Sequence, residues 1–235
     1  MKKISFKVDN QLAILLSENY RSSEKALKEL IDNAWDAEAT SVCIELPEPL
    51  TGNPVVVQDN GTGMTLKELQ SEYLNIARNR RARSGNLTPN LKRKVKGRKG
   101  IGKFAGLMFS DVMQMETWAR GKCSSFSFDK KLLESYEGLP DMPLALSEVI
   151  DNTLEHGTKI TLSDLSQSIP FPNENQLKQV LLAEYGREEY FQIEVNGKAL
   201  AVDDLKGEYT EDKVNVAGSS AILRCTISDQ KRSLR

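Results

Sequence analysis

Three polar residues, Glu29, Asn33 and Asp36, are spaced four and three positions apart in a segment with helical periodicity. At about 100° per residue they fall within about 60° of one another on one face of a helix. Glu29 could take a proton from an attacking water, a role worth about 10²–10⁴-fold in rate, and the amide oxygen of Asn33 suits a hard cation such as Mg²⁺. The alternative is an ordinary amphipathic helix whose polar face is solvated.

A second polar group lies where an apolar run ends. Asp59 follows Val55–Val57 closely, and Gly61, Gly63 and Met64 come next. A strand-end carboxylate can accept a hydrogen bond from an exocyclic amine, and glycines let the backbone approach a flat ring. The alternative interpretation of these residues is a plain hairpin turn.

A glycine-rich segment runs from Gly97 to Gly106. Its closely spaced glycines free several backbone N–H groups to converge on an anion, and a helix beginning near Phe104 would favour phosphate at its N-terminus. The segment nearly matches a P-loop, but Phe104 stands where a P-loop needs a serine or threonine, and the preceding Lys92–Lys96 is basic and is not a buried strand. A P-loop is therefore disfavoured.

The charge of the chain is unevenly distributed, although its total is only −1. Residues Ile76–Lys103 contain 11 lysines or arginines and no acid, which leaves a net charge of −12 on the rest. Phosphates of a nucleotide or of a nucleic acid would suit such a segment, and a solvated loop is the alternative. Because Arg78–Arg98 lacks apolar periodicity and contains Gly85 and Pro89, we expect a long loop that is either a functional lid or disordered.

The elements that must position these residues are one firm helix and several strands. Ser22 or Ser23 can cap a helix over 23–38, in which Ala26, Leu30 and Ala37 recur at helical spacing. The sequence patterns predict strands at 42–46, 55–57, 111–119, 124–129, 158–162, 191–195 and 221–227. Helices and strands do not alternate as βαβ units, which favours an α+β fold, a two-layer sandwich of helices on one face of a mixed sheet.

The prolines and asparagines around Ser168–Asn175 predict a joint between two parts of the chain. The first part, 1–168, would contain the polar groups described above. The second part, 169–235, would begin a strand-rich unit with a hairpin turn at Val195–Lys198. Because the chain stops at Arg235 without a closing element, we expect this second unit to be truncated.

The composition argues against several classes of protein. With 39% hydrophobic and 28% charged residues, the chain can bury a core. It has neither a run of 18 apolar residues nor a signal peptide, so we expect a cytoplasmic protein with no membrane partner. Its three cysteines are far apart and lack CxxC spacing, which predicts reduced thiols in strands and neither a disulfide framework nor a zinc site.

Four segments, taken together and in this order, resemble the nucleotide-binding boxes of the GHKL superfamily, which comprises gyrase, heat-shock chaperone, histidine kinase and MutL proteins. They are Glu29–Ala37, Asp59–Met64, Gly100–Phe104 and Gly157–Thr158. The resemblance covers about Ala26–Leu162 and implies the Bergerat ATP-binding fold. The Asp36-Ala37 ending and the basic stretch are more similar to MutL, heat-shock chaperone and MORC proteins than to sensor kinases.

The resemblance implies a role for each site residue. Glu29 would activate the hydrolytic water, and Asn33 would coordinate the Mg²⁺ that bridges the phosphates. Asp59 would bind the adenine amine, assisted by Thr158 through a water. The other expected nucleotide-binding residues are Ala37, Gly63 and Met64 along the ring, Gly100, Ile101, Gly102, Lys103 and Phe104 with backbone contacts to the phosphates, and Asp36 and Gly61.

The resemblance also implies a function. Residues 76–98 would form a lid that is mobile without nucleotide. The chain would bind ATP or ADP and hydrolyse ATP slowly, as a switch that forms a homodimer when ATP is bound, within a larger protein that could be associated with DNA. Mismatch repair, chromatin, antiphage defence and chaperoning all stay open as settings, because function resides in the site and its partners and not in the fold.

Two alternatives belong to other functional classes. A nucleic-acid-binding module would use residues 78–103 on phosphates, but few aromatic residues interleave there, which disfavours single-strand stacking. A sensor histidine kinase catalytic domain is the other alternative. No phospho-accepting histidine supports it, because the sole histidine, His156, directly precedes the fourth segment and is expected to be structural or incidental.

Overall fold

The computed structural model describes residues 4–6, 22–48, 51–74, 85–97, 102–131, 142–144, 146–153, 155–166, 174–201, 208–216 and 219–227. Within these residues, no helix combines the length and the apolarity needed to cross a membrane. Most of the buried apolar side chains belong to one core, formed between a large sheet and the helices packed against it.

The large sheet contains eight of the twelve described strands. In chain order the strands are β1 (Ile4–Phe6), β2 (Ser41–Glu45), β3 (Val55–Asp59), β4 (Ser110–Ala119), β5 (Lys122–Asp129), β6 (Met142–Leu144), β7 (Leu146–Ile150), β8 (Gly157–Leu165), β9 (Gln192–Val195), β10 (Lys198–Ala199), β11 (Glu208–Val216) and β12 (Ser219–Ile227). β1 pairs with β6 and β11 with β12, and the other eight form one sheet in the order β10-β9-β2-β3-β8-β4-β5-β7. β2 and β9 run parallel, whereas the other neighbouring strands described in this sheet are antiparallel.

This architecture confirms the α+β fold and the mixed sheet predicted from the sequence. Each predicted strand is present, with its ends shifted by a few residues. Strands such as β2 alternate between buried and exposed residues, because successive side chains point to opposite faces and one face of the sheet is covered. The three cysteines are free thiols in β2, β5 and β12, as predicted.

The helix predicted over 23–38 is α1 (Ser23–Asp36), which ends two residues before the predicted boundary. Ser22 occupies the N-cap position, but its side chain makes no capping hydrogen bond. The apolar arc of α1 is almost completely buried and includes Leu27, Leu30 and Ile31. Full burial of such a side chain contributes about 1.5–3 kcal/mol, so packing on the sheet, more than capping, holds the helix in place.

Two short helical pieces flank the predicted lid. Thr65 and Glu68 form a capping box at the start of α2 (Leu66–Glu68), which continues as a π-helical turn over Leu69–Tyr73. The helix expected near Phe104 is a 3₁₀ helix that begins earlier, over Gly102–Met108. Both pieces bury apolar residues in the core, which fixes the chain on either side of the predicted lid.

Helix α3 (Glu174–Tyr185) and strands β9 and β10 come after the boundary predicted at residue 168. The hairpin turn at Val195–Lys198 is present, but it joins two strands of the large sheet, where the sequence predicted the opening of a second unit. Leu177, Leu181 and Tyr185 of α3 are buried in the shared core. How the chain divides into domains stays a prediction, but these later elements complete the sheet.

Candidate functional site

Glu29, the first residue of the polar stripe on α1, lies against Gly102 of the glycine-rich segment. Glu29 is partly buried, and Gly102 is the first residue of the 3₁₀ helix. A Cβ atom at Gly102 would overlap Oε2 of Glu29, so the absence of a side chain permits this close approach. The carboxylate is therefore adjacent to backbone that the sequence predicts to contact phosphates.

Asn33 lies one turn further along α1 with a buried amide group. Within the described part of the chain, its Nδ2 atom has no hydrogen-bond partner. Burying such a group unpaired costs about 1–3 kcal/mol, which a polar ligand would recover. Its amide oxygen is of the kind that Mg²⁺ accepts. The donor set beside Glu29 therefore fits a magnesium-bound phosphate group.

Asp59 and Thr158 lie side by side at the ends of two neighbouring strands. They are partners in the register of β3 and β8. The Gly61 N–H donates to Oδ1 of Asp59 at 2.7 Å, and the Thr158 N–H also donates to this carboxylate. Although part of the residue is exposed, burial of the carboxyl group raises the pKa of Asp59 to about 6, against the opposing effect of the two N–H donors and His156. A poorly solvated carboxylate of this kind gains from a further hydrogen-bond donor.

The glycine turn after Asp59 packs against the end of α1 and against β4. The carbonyl oxygen of Ala37 accepts a hydrogen bond of 2.9 Å from the Thr62 N–H. A Cβ atom at Gly61 would lie 2.8 Å from the same oxygen. The Met64 N–H donates to Oγ1 of Thr117 at 2.9 Å. The structure thus brings Ala37, Gly61 and Met64 to the same end of the sheet as Asp59.

Gly63 occupies the tightest position of this turn. Its φ of +61° lies in the left-handed region, and a Cβ atom there would overlap the carbonyl oxygen of Trp118. Both the backbone conformation and the space therefore require glycine.

We expect Gly63→Ala to destabilise the protein more than Gly85→Ala does. Gly85 also has a positive φ, +77°, but no described residue lies within 4 Å of a Cβ placed there, so this control isolates the backbone strain, which is worth about 1–3 kcal/mol. Gly63→Ala adds the clash with Trp118. Chemical unfolding of both variants measures the difference, and equal losses would contradict the tight packing of the turn.

Two residues that the sequence patterns do not assign to the site support this turn. Oγ1 of Thr117 donates to the Gly157 carbonyl at 3.1 Å and lies 3.3 Å from Oγ1 of Thr158. Nδ1 of His156 lies 2.7 Å from the Gly61 carbonyl oxygen, which gives the histidine a structural contact. Neither role has a local signature, because the partners are distant in the sequence.

Tyr73 forms a hydrogen bond with the glycine-rich segment. Its hydroxyl donates to the Lys103 carbonyl at 3.0 Å. Burial, and then the charge of Asp59, raises the pKa of this hydroxyl, so it stays a donor. The Lys103 Nζ atom lies 3.3 Å from the Glu72 carbonyl, and the Phe104 ring is fully buried. Phosphate contacts from Lys103 and Phe104 would therefore come from their backbone.

The described part of the predicted lid, residues 85–97, is fixed to α1 at its base. The Asp36 carboxylate accepts hydrogen bonds from the Lys96 N–H at 2.8 Å and the Gly97 N–H at 2.9 Å. The Trp35 indole N–H donates to the Lys94 carbonyl at 3.1 Å. Asp36, which the sequence groups with the nucleotide-binding residues, thus holds the lid backbone, and its contact with nucleotide stays a prediction.

One of the positively charged side chains of residues 85–97 makes contacts within the protein. The Arg93 guanidinium lies 4.4 Å from the Trp35 ring centroid and donates to the Ala39 and Tyr190 carbonyls. The side chains of its neighbours Lys92 and Lys94 are exposed. Gly100 and Ile101 lie outside the described residues, as do 76–84 and 98 of the predicted lid, so their roles stay predictions.

The comparison with known proteins agrees with this arrangement. A family model described as "Histidine kinase-, DNA gyrase B-, and HSP90-like ATPase" matches residues 20–159. A protein of Herpetosiphon aurantiacus, named as a candidate type II restriction enzyme, HgiDII, is 32% identical over 144 residues, which are 60% of this chain and 22% of that protein. The chain therefore spans about a fifth of the length of this curated relative. Because the family match covers more than half of the chain and includes the helix, the turn and both strand ends of the site, the chain belongs to the histidine kinase-, DNA gyrase B- and HSP90-like ATPases.

Proposed function

We propose that this domain binds ATP along α1, with adenine at the ends of β3 and β8 and the phosphates beside Gly102, and hydrolyses it slowly with Mg²⁺. The observation that carries this proposal is that one helix joins both ends of the site. Glu29 abuts Gly102, and Ala37 abuts the turn that follows Asp59. At 1.5 Å per residue these two positions of the helix are about 12 Å apart, which leaves room for a nucleoside and its phosphates.

The adenine end supplies selectivity. The carboxylate of Asp59 can accept a hydrogen bond from the 6-amino group of adenine, whereas guanine presents a carbonyl oxygen there, which would face the carboxylate without a proton between them. Titration calorimetry with ATP and GTP, each with and without Mg²⁺, tests the proposal. Binding of ATP in preference to GTP supports it, and no uptake of ATP at millimolar concentration would refute it.

The phosphate end supplies the chemistry. Glu29 would accept the proton of the attacking water, while Asn33 would offer its amide oxygen to the metal. Bound Mg²⁺ would neutralise charge that develops on the phosphate oxygens. Because Gly102 has no side chain, the backbone lies directly against Glu29, and the water would be held between the carboxylate and the phosphates.

We expect the affinity for adenosine to fall about tenfold between pH 8 and pH 5. The pKa of Asp59 is about 6, and the adenine amine binds the ionised carboxylate more strongly than the neutral acid. Binding therefore weakens as the pH falls through 6, with one unit of pH below the pKa costing about a factor of ten. Adenosine is the ligand of choice because it has no phosphate that titrates.

The control for this pH dependence is Asp59→Asn, which has no titrating group at the same position. Its weaker adenosine affinity should stay level between pH 5 and pH 8. A parent chain with level affinity over this range would show that Asp59 does not bind the base through its charge.

We further propose that nucleotide acts through dimerisation. A non-hydrolysable ATP analogue should protect residues 85–97 from hydrogen exchange and increase the measured mass to that of a homodimer. If the analogue binds but changes neither the protection nor the mass, ATP binding is supported and the dimerisation switch is refuted.

An association with DNA is the least direct part of the proposal. It is supported by the restriction-enzyme name of the relative and by the exposed side chains of Lys92 and Lys94. Duplex DNA titrations at several salt concentrations test it. A DNA affinity that depends steeply on salt and is the same with and without ATP would favour the nucleic-acid-binding module over the ATP-driven switch.

A further inference from the structure

The base of the lid is held from α3 as well as from α1. The Nζ atom of Lys96 lies 2.8 Å from Oε1 of Glu184 and 3.8 Å from the centroid of the Tyr185 ring. The Lys96 side chain is only 17% exposed. An ion pair and a cation–π contact that are partly withdrawn from water hold a side chain more firmly than a solvated surface pair does.

Tyr185 carries this connection back to α1. Its hydroxyl donates to the carboxylate of Asp32, which also binds Nζ of Lys28 at 2.9 Å. Asp32 directly precedes Asn33 in the helix. A continuous set of polar contacts therefore runs from the helix that carries the site, through Tyr185, to the side chain of Lys96.

The backbone of Lys96 is also bound by α1. The Asp36 carboxylate binds the N–H groups of Lys96 and Gly97. Gly97 begins the glycine-rich segment, and Gly102, five residues later, abuts Glu29. Both of these glycines are therefore in contact with α1.

We propose that Glu184 and Tyr185 are positioning residues for the nucleotide site. By holding Lys96 they fix the point at which the chain enters the glycine-rich segment, so that the backbone N–H groups beginning at Gly102, which abuts Glu29, are aligned before the phosphates arrive. This inference rests on the proposed ATP-binding function. It goes beyond the family match, which ends at residue 159, because α3 begins at Glu174.

The experiment compares Glu184→Gln and Tyr185→Phe with Glu174→Gln. Glu174 lies on the same helix and forms ion pairs with Lys178 and Lys198, away from the lid. ATP hydrolysis is measured as kcat and KM, and hydrogen exchange is measured at the amides of Lys96 and Gly97. We expect KM to rise roughly 3–10-fold with kcat within about twofold, because binding of the phosphates is weakened while Glu29 stays in place. Exchange at the two amides should accelerate in both variants and not in Glu174→Gln.

The outcomes separate this inference from the proposed function. A parent chain that binds no ATP would overturn both. A parent that binds ATP, with KM and amide exchange in Glu184→Gln equal to those of Glu174→Gln, would overturn the positioning role alone. Because Glu184 is 42% exposed, its substitution should not prevent folding even if that of Tyr185 does. Combining Lys96→Met with Glu184→Gln should raise KM no further than Lys96→Met alone, since the lysine change already removes the contact with Glu184.

Discussion

Replacement of Glu29 by glutamine is expected to lower ATP turnover by about 10²–10⁴-fold, the usual contribution of a general base, with ATP binding retained. Glutamine has the size of glutamate, so it can keep the close packing against Gly102, but it cannot take a proton from water. Glu29→Ala should lose turnover to a similar extent. Phosphate release measures turnover, and calorimetry with ATP measures binding.

The matched control is Glu24→Gln. Glu24 is also an acidic residue of α1, but it lies in the first turn of the helix, five residues before Glu29. This variant should hydrolyse ATP at the parental rate. Equal turnover in Glu29→Gln and in the parent would show that Glu29 is not the general base.

Asp59→Asn should have opposite effects on binding and on stability. A hydrogen bond to a charged group contributes about 1.5–3 kcal/mol, so the affinity for ATP should fall by roughly 10–150-fold. The pKa of Asp59 in the folded protein is about 6, above its ordinary 3.8. The folded chain therefore holds this proton more tightly than the unfolded chain, and stability falls as pH rises from about 4 to about 6. Because asparagine has no such charge, the variant should be more stable at pH 7 by up to about 3 kcal/mol.

Asp129→Asn is the control for this prediction. Asp129 ends β5, and its carboxylate accepts a hydrogen bond of 2.9 Å from the N–H two residues later, as that of Asp59 does. It lies outside the nucleotide site, so its substitution should leave ATP affinity unchanged. Chemical unfolding at pH 5 and pH 7 measures stability. If Asp59→Asn bound ATP as tightly as the parent, adenine would have to be recognised elsewhere.

The parts of the site that follow strong local patterns could be predicted from the sequence. Helix α1 shows its apolar arc and polar stripe within a single segment, and β3 ends in a glycine turn after three β-branched residues. The order of the four short segments along the chain indicated the superfamily, which no single segment could indicate alone. The structure places Glu29 beside Gly102, and Asp59 beside Thr158, as neighbours in one fold.

The parts that depend on distant partners could not be predicted. Nothing local in the sequence shows that the N–H groups of Lys96 and Gly97, sixty residues away, donate to the carboxylate of Asp36. Helix α3 was not predicted, because the prolines before it indicated a joint between two parts of the chain. The spacing of Leu177, Leu181 and Tyr185 is nevertheless helical. A sequence does not distinguish exposed from buried positive charges. It therefore could not show that the Arg93 guanidinium packs on the Trp35 ring and donates to backbone carbonyls.

The parallel pairing of β2 with β9 has a consequence for synthesis on the ribosome. Leu46, next to β2, bonds to the Asn196 side chain across 150 residues of sequence. At 5–20 residues per second, that interval takes roughly 8–30 s to translate. During this time the nascent chain presents one side of β2 with open backbone donors and acceptors, the kind of edge that recruits foreign strands. The nascent chain therefore benefits from rapid synthesis, or from shielding by a chaperone, until β9 has been made.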